Sequence, residues 1–170
     1  MRVLARKDNK KPTEEWPLTI LYDDREKKGR WTIDHFKFKF VKKRLKVADY
    51  TIKGFEHIIA VEKKSGFKEL IGNLTGKKRI KFMAYLKKLS KFPLPILVIE
   101  GNFNSLPRIF RELKYSGMNI EGVYSWVTKI MVEYGIHVVC MDCSQKDKDM
   151  FLYHLFSTLH EEARRIKDEA

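Results

Sequence analysis

From Leu18 to Tyr22 the chain is apolar and β-prone, and Asp23-Asp24-Arg25-Glu26 follows at once. This predicts a short strand whose end delivers charged side chains to a sheet edge. Past Gly29, Phe36, Phe38 and Phe40 alternate with Lys37 and Lys39, the period of a strand with phenylalanines inward and lysines outward. After an irregular join at 41–44, Leu45, Val47 and Asp49 continue on one face. Lys53-Gly54 reads as the turn of a hairpin whose return strand is His57–Lys63. Helical spacing begins with Phe67, Leu70, Ile71 and Leu74, capped by Ser65 and ended by Thr75-Gly76. A second helix is predicted over Lys77–Lys91, with Ile80, Met83 and Ala84 inward, joined by Leu86 and Leu89, and Pro93 as its stop. Pro95–Glu100 is a continuous apolar run, as in a sheet covered on both faces.

Asn102–Ser105 then lead a helix carrying Leu106, Ile109, Phe110 and Leu113. Another carries Ile120, Val123, Tyr124, Val127, Met131 and Tyr134, with Gly135 placed for its C-terminal cap. Ile136–Met141 reads as a buried strand, Met150, Phe151, Leu155 and Leu159 as the stripe of a last helix, and the chain from Glu161 as a mixed-charge tail. The order predicts an α/β domain, a mixed β-sheet core flanked by helices.

The 170 residues fit one domain over 17–170, preceded by a basic arm at 1–16 that either touches nucleic acid or is a solvated tail. Hydrophobic content of 44% and aromatic content of 12% are globular values. Charge changes the picture more: 35 Lys and Arg against 22 acids leave +13, a field that draws polyanions, of which nucleic acid is the commonest. No apolar run approaches about 18 residues and no signal-peptide pattern is present. A soluble intracellular protein away from membranes is therefore expected, cytoplasmic or nucleoid-associated. Cys140 and Cys143 have no second ligand pair for zinc, and Cys140 is expected as a small core residue at a strand end. A phosphate-binding Gly-x-x-x-x-Gly-Lys-Ser/Thr loop and a Gly-x-Ser-x-Gly elbow are both absent, and the five histidines show no ligand spacing.

The candidate chemistry sits on the hairpin. Glu62 and Lys64 are two residues apart and project from one face of an extended strand. If the first strand, the hairpin and its return are neighbours, Asp49, Glu62 and Asp23 or Glu26 converge at one end. Carboxylates brought together repel, and oxygen-only ligands favour Mg²⁺ or Mn²⁺ to relieve that repulsion. The Lys63 carbonyl is a further donor. Such a cation activates water and neutralises charge on a phosphodiester, while Lys64 offers electrostatic stabilisation.

Leu21-Tyr22-Asp23-Asp24-Arg25-Glu26, Val47-Ala48-Asp49-Tyr50, Val61-Glu62-Lys63-Lys64-Ser65 and Glu69-Leu70-Ile71 occur in the order of the XPF-like nuclease domain. The chain resembles that domain from about Pro17 to His160, and the domain is itself similar to restriction endonucleases with the PD-(D/E)xK core. The resemblance implies a restriction-endonuclease-like fold and a Mg²⁺- or Mn²⁺-dependent DNA endonuclease of repair or recombination, acting on duplex, branched or flapped DNA. It implies Asp49, Glu62 and Asp23 as metal ligands, with Lys64 and Glu26 completing the catalytic set. Arg25, Lys63 and either Arg79 or Lys81 are the implied phosphate contacts. A non-catalytic DNA-binding module and an accessory subunit remain alternatives, as do a homodimer and a partner protein. Ala48 stands where the family usually has Gly, Lys63 where it has Arg, Glu69 one residue beyond the usual Asp, and Tyr85 where a Glu or Gln is usual. Neither a helix-hairpin-helix pair nor a helicase is expected within these 170 residues, so the chain resembles the compact standalone versions of bacteria and their phages; a phage-encoded version would work in the host cytoplasm.

Overall fold

The computed structural model describes residues 17–26, 31–33, 37–113 and 117–169. The basic arm and Phe36 lie outside the described residues. Six strands form one mixed sheet: β1 (Leu18–Tyr22), β2 (Phe38–Lys42), β3 (Tyr50–Ile52), β4 (Ile59–Lys64), β5 (Leu94–Ile99) and β6 (His137–Cys140), in the order β2-β1-β3-β4-β5-β6. Only β3 runs antiparallel to its neighbours, β1 and β4; the β1/β2, β4/β5 and β5/β6 pairs are parallel. The helices are α1 (Phe67–Leu74), α2 (Lys78–Leu89), α3 (Leu106–Glu112, entered through a 3₁₀ turn), α4 (Ile120–Val132) and α5 (Gln145–Glu169).

β4 lies at the centre and is buried at all six positions. Ile59 and Val61 pack with Ile20, Tyr50, Val98 and the α5 residues Leu152 and Phe156. Ala60, on the other face, packs with Leu97 and the α1 to α4 side chains Phe67, Leu86 and Val123. Helices therefore cover both faces of the sheet, and β5 and the first half of β4 read as apolar runs because neither face meets water. By the same alternation Glu62 and Lys64 fall on the α1/α2 face and Lys63 on the other.

The mixed sheet flanked by helices is as expected, but several details differ. The predicted strand at Leu45–Asp49 is not extended: residues 43–49 climb over the end of β1, and the strand proper is Tyr50–Ile52. Leu45 N–H donates to Asp23 Oδ2 at 2.9 Å, and Ala48 turns the chain at φ 68°, two features that end any strand there. Ile136–Met141 is not a buried strand. Its β6 core is an edge strand with Cys140 exposed, and only the flanking Ile136 and Met141 are buried. Cys140 is therefore no core residue, since an edge strand turns alternate side chains outward.

The helix stripes keep Leu86, Leu89, Val123, Val127 and Leu159 inward as expected but are rotated at other positions. α2 buries Phe82, Leu86 and Leu89, leaving Ile80 78% exposed. α4 buries Val123, Val127 and Ile130, with Tyr124 and Met131 on the outside. α5 buries Leu152, Phe156, Leu159 and Ala163, leaving Met150 exposed, and continues as helix through the expected tail. Each helix has apolar residues on more than one side, and the sheet selects a narrow i, i+4, i+7 stripe. Gly66, not Ser65, caps α1: a side chain there would press on the Glu100 carbonyl, 3.3 Å from an added Cβ, and its φ of 150° suits glycine.

Ala48 is a buried non-glycine in the left-handed region. Ala48→Gly is expected to change stability by no more than about 1 kcal/mol, because relief of backbone strain offsets the lost methyl group. Ala48→Val, β-branched at a positive φ, is expected to cost about 2 kcal/mol or more in urea unfolding. Equal stability of the two variants would mean that the turn is not left-handed.

Candidate active site

The C-terminal ends of β1 and β4 and the turn into β3 enclose a cavity of about 400 Å³ lined by Asp49, Glu62, Lys64, Glu26, Arg25, Lys63, Ser65 and Glu69. Backbone pairing builds it: Asp23 N–H donates to the Asp49 carbonyl at 2.8 Å, and Asp49 N–H to the Val61 carbonyl at 3.0 Å. The turn carrying Asp49 is thereby held between the other two strands.

Glu62 and Lys64 project side by side from β4. Lys64 Nζ meets Glu62 Oε1 at 2.6 Å and Glu69 Oε1 at 3.4 Å. The second Glu62 oxygen accepts from the Tyr85 hydroxyl. Lys63 N–H donates to Asp49 Oδ2 at 2.8 Å. Glu69, from the first turn of α1, also accepts from Ser65 N–H and Ser65 Oγ, both at 2.8 Å.

Residues 22–153 match the model of the ERCC4 domain. The chain belongs to the ERCC4 domain family. Two solved structures of XPF from Aeropyrum pernix share the fold. One, in complex with DNA, has 16% identity and a TM-score of 0.64, with 85% of this chain and 66% of that chain covered. The other has 20% identity and a TM-score of 0.61, with coverage of 88% and 67%. This ERCC4 domain thus spans about two thirds of the length of the XPF chains it matches. No curated protein matches the sequence.

The structure brings Asp49, Glu62, Lys64 and Glu26 together at the cavity, but not Asp23. Asp23, expected as a metal ligand, is 1% exposed. Oδ1 accepts from Arg25 Nε at 2.6 Å and Arg25 N–H at 2.9 Å; Oδ2 accepts from Arg25 Nη2 at 3.1 Å and Leu45 N–H at 2.9 Å. Two oxygens holding four donors leave Asp23 a strut between β1 and the 43–49 turn, and Arg25 Nη2 extends it to the Leu45 carbonyl. Lys63 does not reach out either. Its side chain is 4% exposed, and the ammonium meets Glu26 Oε1 at 2.8 Å. Arg79 lies over the Trp126 ring, and neither it nor Lys81 lines the cavity. Two contributors fell outside the predicted site set, Glu69 and Tyr85. Both already stood out in the sequence as departures from the XPF-like pattern.

Burial, then the charge of Glu62, pushes the Asp49 carboxyl up to about 7, against the pull of Lys63 N–H and Lys64. Burial alone would lower the Lys64 pKa, but Glu62, Glu69 and Asp49 outweigh it and hold the ammonium protonated. Burial, then Glu62, raises the Tyr85 phenol, which stays a donor. Among the described residues no three Asp, Glu, His or Cys side chains group as a ready metal cage. The donor chemistry still suits Mg²⁺ or Mn²⁺. Such ions are held by one or two carboxylates and keep most of their waters, and Asp49 and Glu62 line one cavity with oxygen donors of that kind.

Asp23 gives a stability signature of its own. Burial raises its carboxyl, but the Arg25 side chain and the two N–H donors outweigh this and hold it at about 2, below the ordinary 3.8. A depressed carboxylate stabilises the fold above its unfolded value, and this is lost as pH falls through the folded value. About 2 kcal/mol should therefore disappear between pH 4 and pH 2. Asp23→Asn should lower stability at pH 7 and flatten that acid limb in denaturant titrations; an unchanged acid limb would show that the Arg25 clamp contributes nothing.

Proposed function

We propose that this ERCC4 domain is a Mg²⁺- or Mn²⁺-dependent endonuclease that hydrolyses phosphodiester bonds in duplex or branched DNA. The observation that carries the reading is the meeting of Asp49, Glu62 and Lys64 in one cavity at the strand ends. One oxygen each from Asp49 and Glu62 would hold the cation, which when bound lowers the pKa of a water and neutralises charge on the phosphate. Burial and then the charge of Glu62 raise the Asp49 carboxyl, and a bound cation would relieve that repulsion and hold Asp49 ionised. Lys64, kept protonated by its acidic neighbours, can turn from Glu62 or Glu69 towards charge developing on a phosphoryl oxygen. Arg25, more than half exposed beyond its clamp on Asp23, offers the cavity rim a further cation.

The surface supports a polyanionic substrate. Along α2 and its ends Lys77, Lys78, Arg79, Lys81, Lys87, Lys88 and Lys91 are exposed, and none forms an ion pair among the described residues. Several sit in the first turn of α2, where the macrodipole disfavours cations, so their placement does not serve helix stability. The DNA-bound XPF relative shares this fold, and no helix among the described residues is long and apolar enough to cross a membrane. We place the DNA backbone along this face, with Arg79 and Lys81 among its phosphate contacts. A branched substrate would suit a role in repair or recombination.

Asp49→Asn and Glu62→Gln are expected to reduce nicking of flap, fork and duplex substrates in Mg²⁺ or Mn²⁺ by about 100-fold or more, while leaving DNA affinity within a few-fold. Binding should weaken steeply with salt, and Arg79→Ala or Lys81→Ala should each lower the slope of log affinity against log salt by about one. Wild-type protein that binds DNA but cuts nothing with either metal would make the chain a binding module or a subunit dependent on a partner. A flat salt response would remove the polyanion reading altogether.

A further inference from the structure

Tyr85 joins the two chain segments that carry the acid pair. Its hydroxyl accepts the Ala48 N–H at 3.0 Å and donates to Glu62 Oε2. A phenol has one hydrogen and an ionised carboxylate has none, so the direction of this chain is fixed: backbone of residue 48, then phenol, then Glu62. With Lys64 on the other oxygen at 2.6 Å, the carboxylate of Glu62 is gripped at both ends and its plane is set. Asp49, the next residue after Ala48, is held in turn by Lys63 N–H at 2.8 Å. The Tyr85 ring stacks near Phe82, with centroids 6.3 Å apart, and packs against the core shared by α1 and α2. The hydroxyl is thus the tip of an anchored ring, reaching from a helix into the gap between the turn before β3 and the end of β4. Each carboxylate oxygen has two acceptor positions, so neither bond to Glu62 uses up its capacity for a cation.

We propose that Tyr85 is a positioning residue for the acid pair: by tying Glu62 to the backbone beside Asp49, it fixes their relative placement and thereby sets the affinity for a divalent cation. It neither binds the cation nor transfers a proton. This rests on the reading of Asp49 and Glu62 as the pair that holds the metal. Partners that orient a ligand commonly change metal affinity by 10 to 100-fold when lost.

The test is Tyr85→Phe, which keeps the ring and removes the hydroxyl. Calorimetric titration with Mn²⁺ in the absence of DNA is expected to show a Kd raised by about 10 to 100-fold. The Mn²⁺ concentration for half-maximal flap cleavage should rise with it, while the rate at saturating Mn²⁺ changes far less. Thermal unfolding in a chelator separates this from packing: a packing role lowers Tm and leaves the Kd of the folded protein unchanged, which would overturn the inference. If Tyr85→Phe does not fold, Tyr85→Gln and Tyr85→Met give the same comparison on an unbranched side chain. The amide, able to accept and donate, should bind Mn²⁺ more tightly than the thioether; equal affinities would overturn the inference. Wild-type affinity in Tyr85→Phe overturns it while leaving the nuclease reading in place. Failure of wild-type protein to take up Mn²⁺ removes the metal-dependent reading, and this inference with it.

Discussion

The fold depends on a central strand that is buried from end to end yet finishes in Glu62-Lys63-Lys64. Its first half meets the constraint with Ile59, Ala60 and Val61, one residue to each core in turn. The second half meets it with charge pairing, since an ionised side chain can remain buried only when matched. Glu62 takes Lys64 and Tyr85, Lys63 takes Glu26, and Lys64 shares Glu69. Removing one partner from such a group leaves an uncompensated buried charge, typically several kcal/mol. The surrounding elements are therefore bound to bring those partners: α1 brings Glu69, α2 brings Tyr85, and the segment after β1 brings Glu26.

The same constraint separates two roles that one cluster of acids might have shared. Asp23 and Asp49 both lie at strand ends, Asp49 lining the cavity and Asp23 just outside it, and their environments push them in opposite directions. Asp23, clamped by a guanidinium and two N–H groups, is held at about 2; Asp49, buried beside Glu62 with one N–H donor, rises to about 7. A carboxylate whose lone pairs are already filled by donors is structural. One that is short of positive charge has something to gain from a cation, and this is how a site for a divalent ion is expected to differ from a strut built of the same residue type.

Much of this was legible in the sequence. The strand ends that carry acids, the hairpin, the pairing of Glu62 with Lys64 on one face and the mixed sheet all follow from local periodicity and from the XPF-like order of motifs. What was not legible is long-range. Nothing near Asp23 in the sequence says that Leu45, twenty-two residues on, will take its carboxylate, although Arg25 two residues away was a hint. The phase of α2 could not be read from its own residues. Leu86 and Leu89 turn inward as read, but Ile80, Met83 and Ala84 look as apolar as Phe82, and only the sheet decides which of them joins that stripe. With the wrong phase Tyr85 reads as a side residue; with the right one it points at Glu62.

That error of phase bears on how the charge of this chain should be understood. Turning α2 so that Phe82, Leu86 and Leu89 face the sheet sends its lysines and Arg79 outward together and sends Tyr85 inward to the acids. One helix therefore couples a positive outer face to the geometry of the cavity on its inner side. Field and site are not independent features that happen to share a molecule. A polyanion drawn to the outside of α2 lies against the same rigid element whose tyrosine holds Glu62, so the placement of the substrate and the placement of the carboxylate are referred to a common frame. A net charge of +13 spread evenly over the surface would attract nucleic acid without orienting it. Seven exposed cations along α2 and its ends lie on one element, so on the proposed DNA path a phosphate backbone would approach Asp49 and Glu62 from that side.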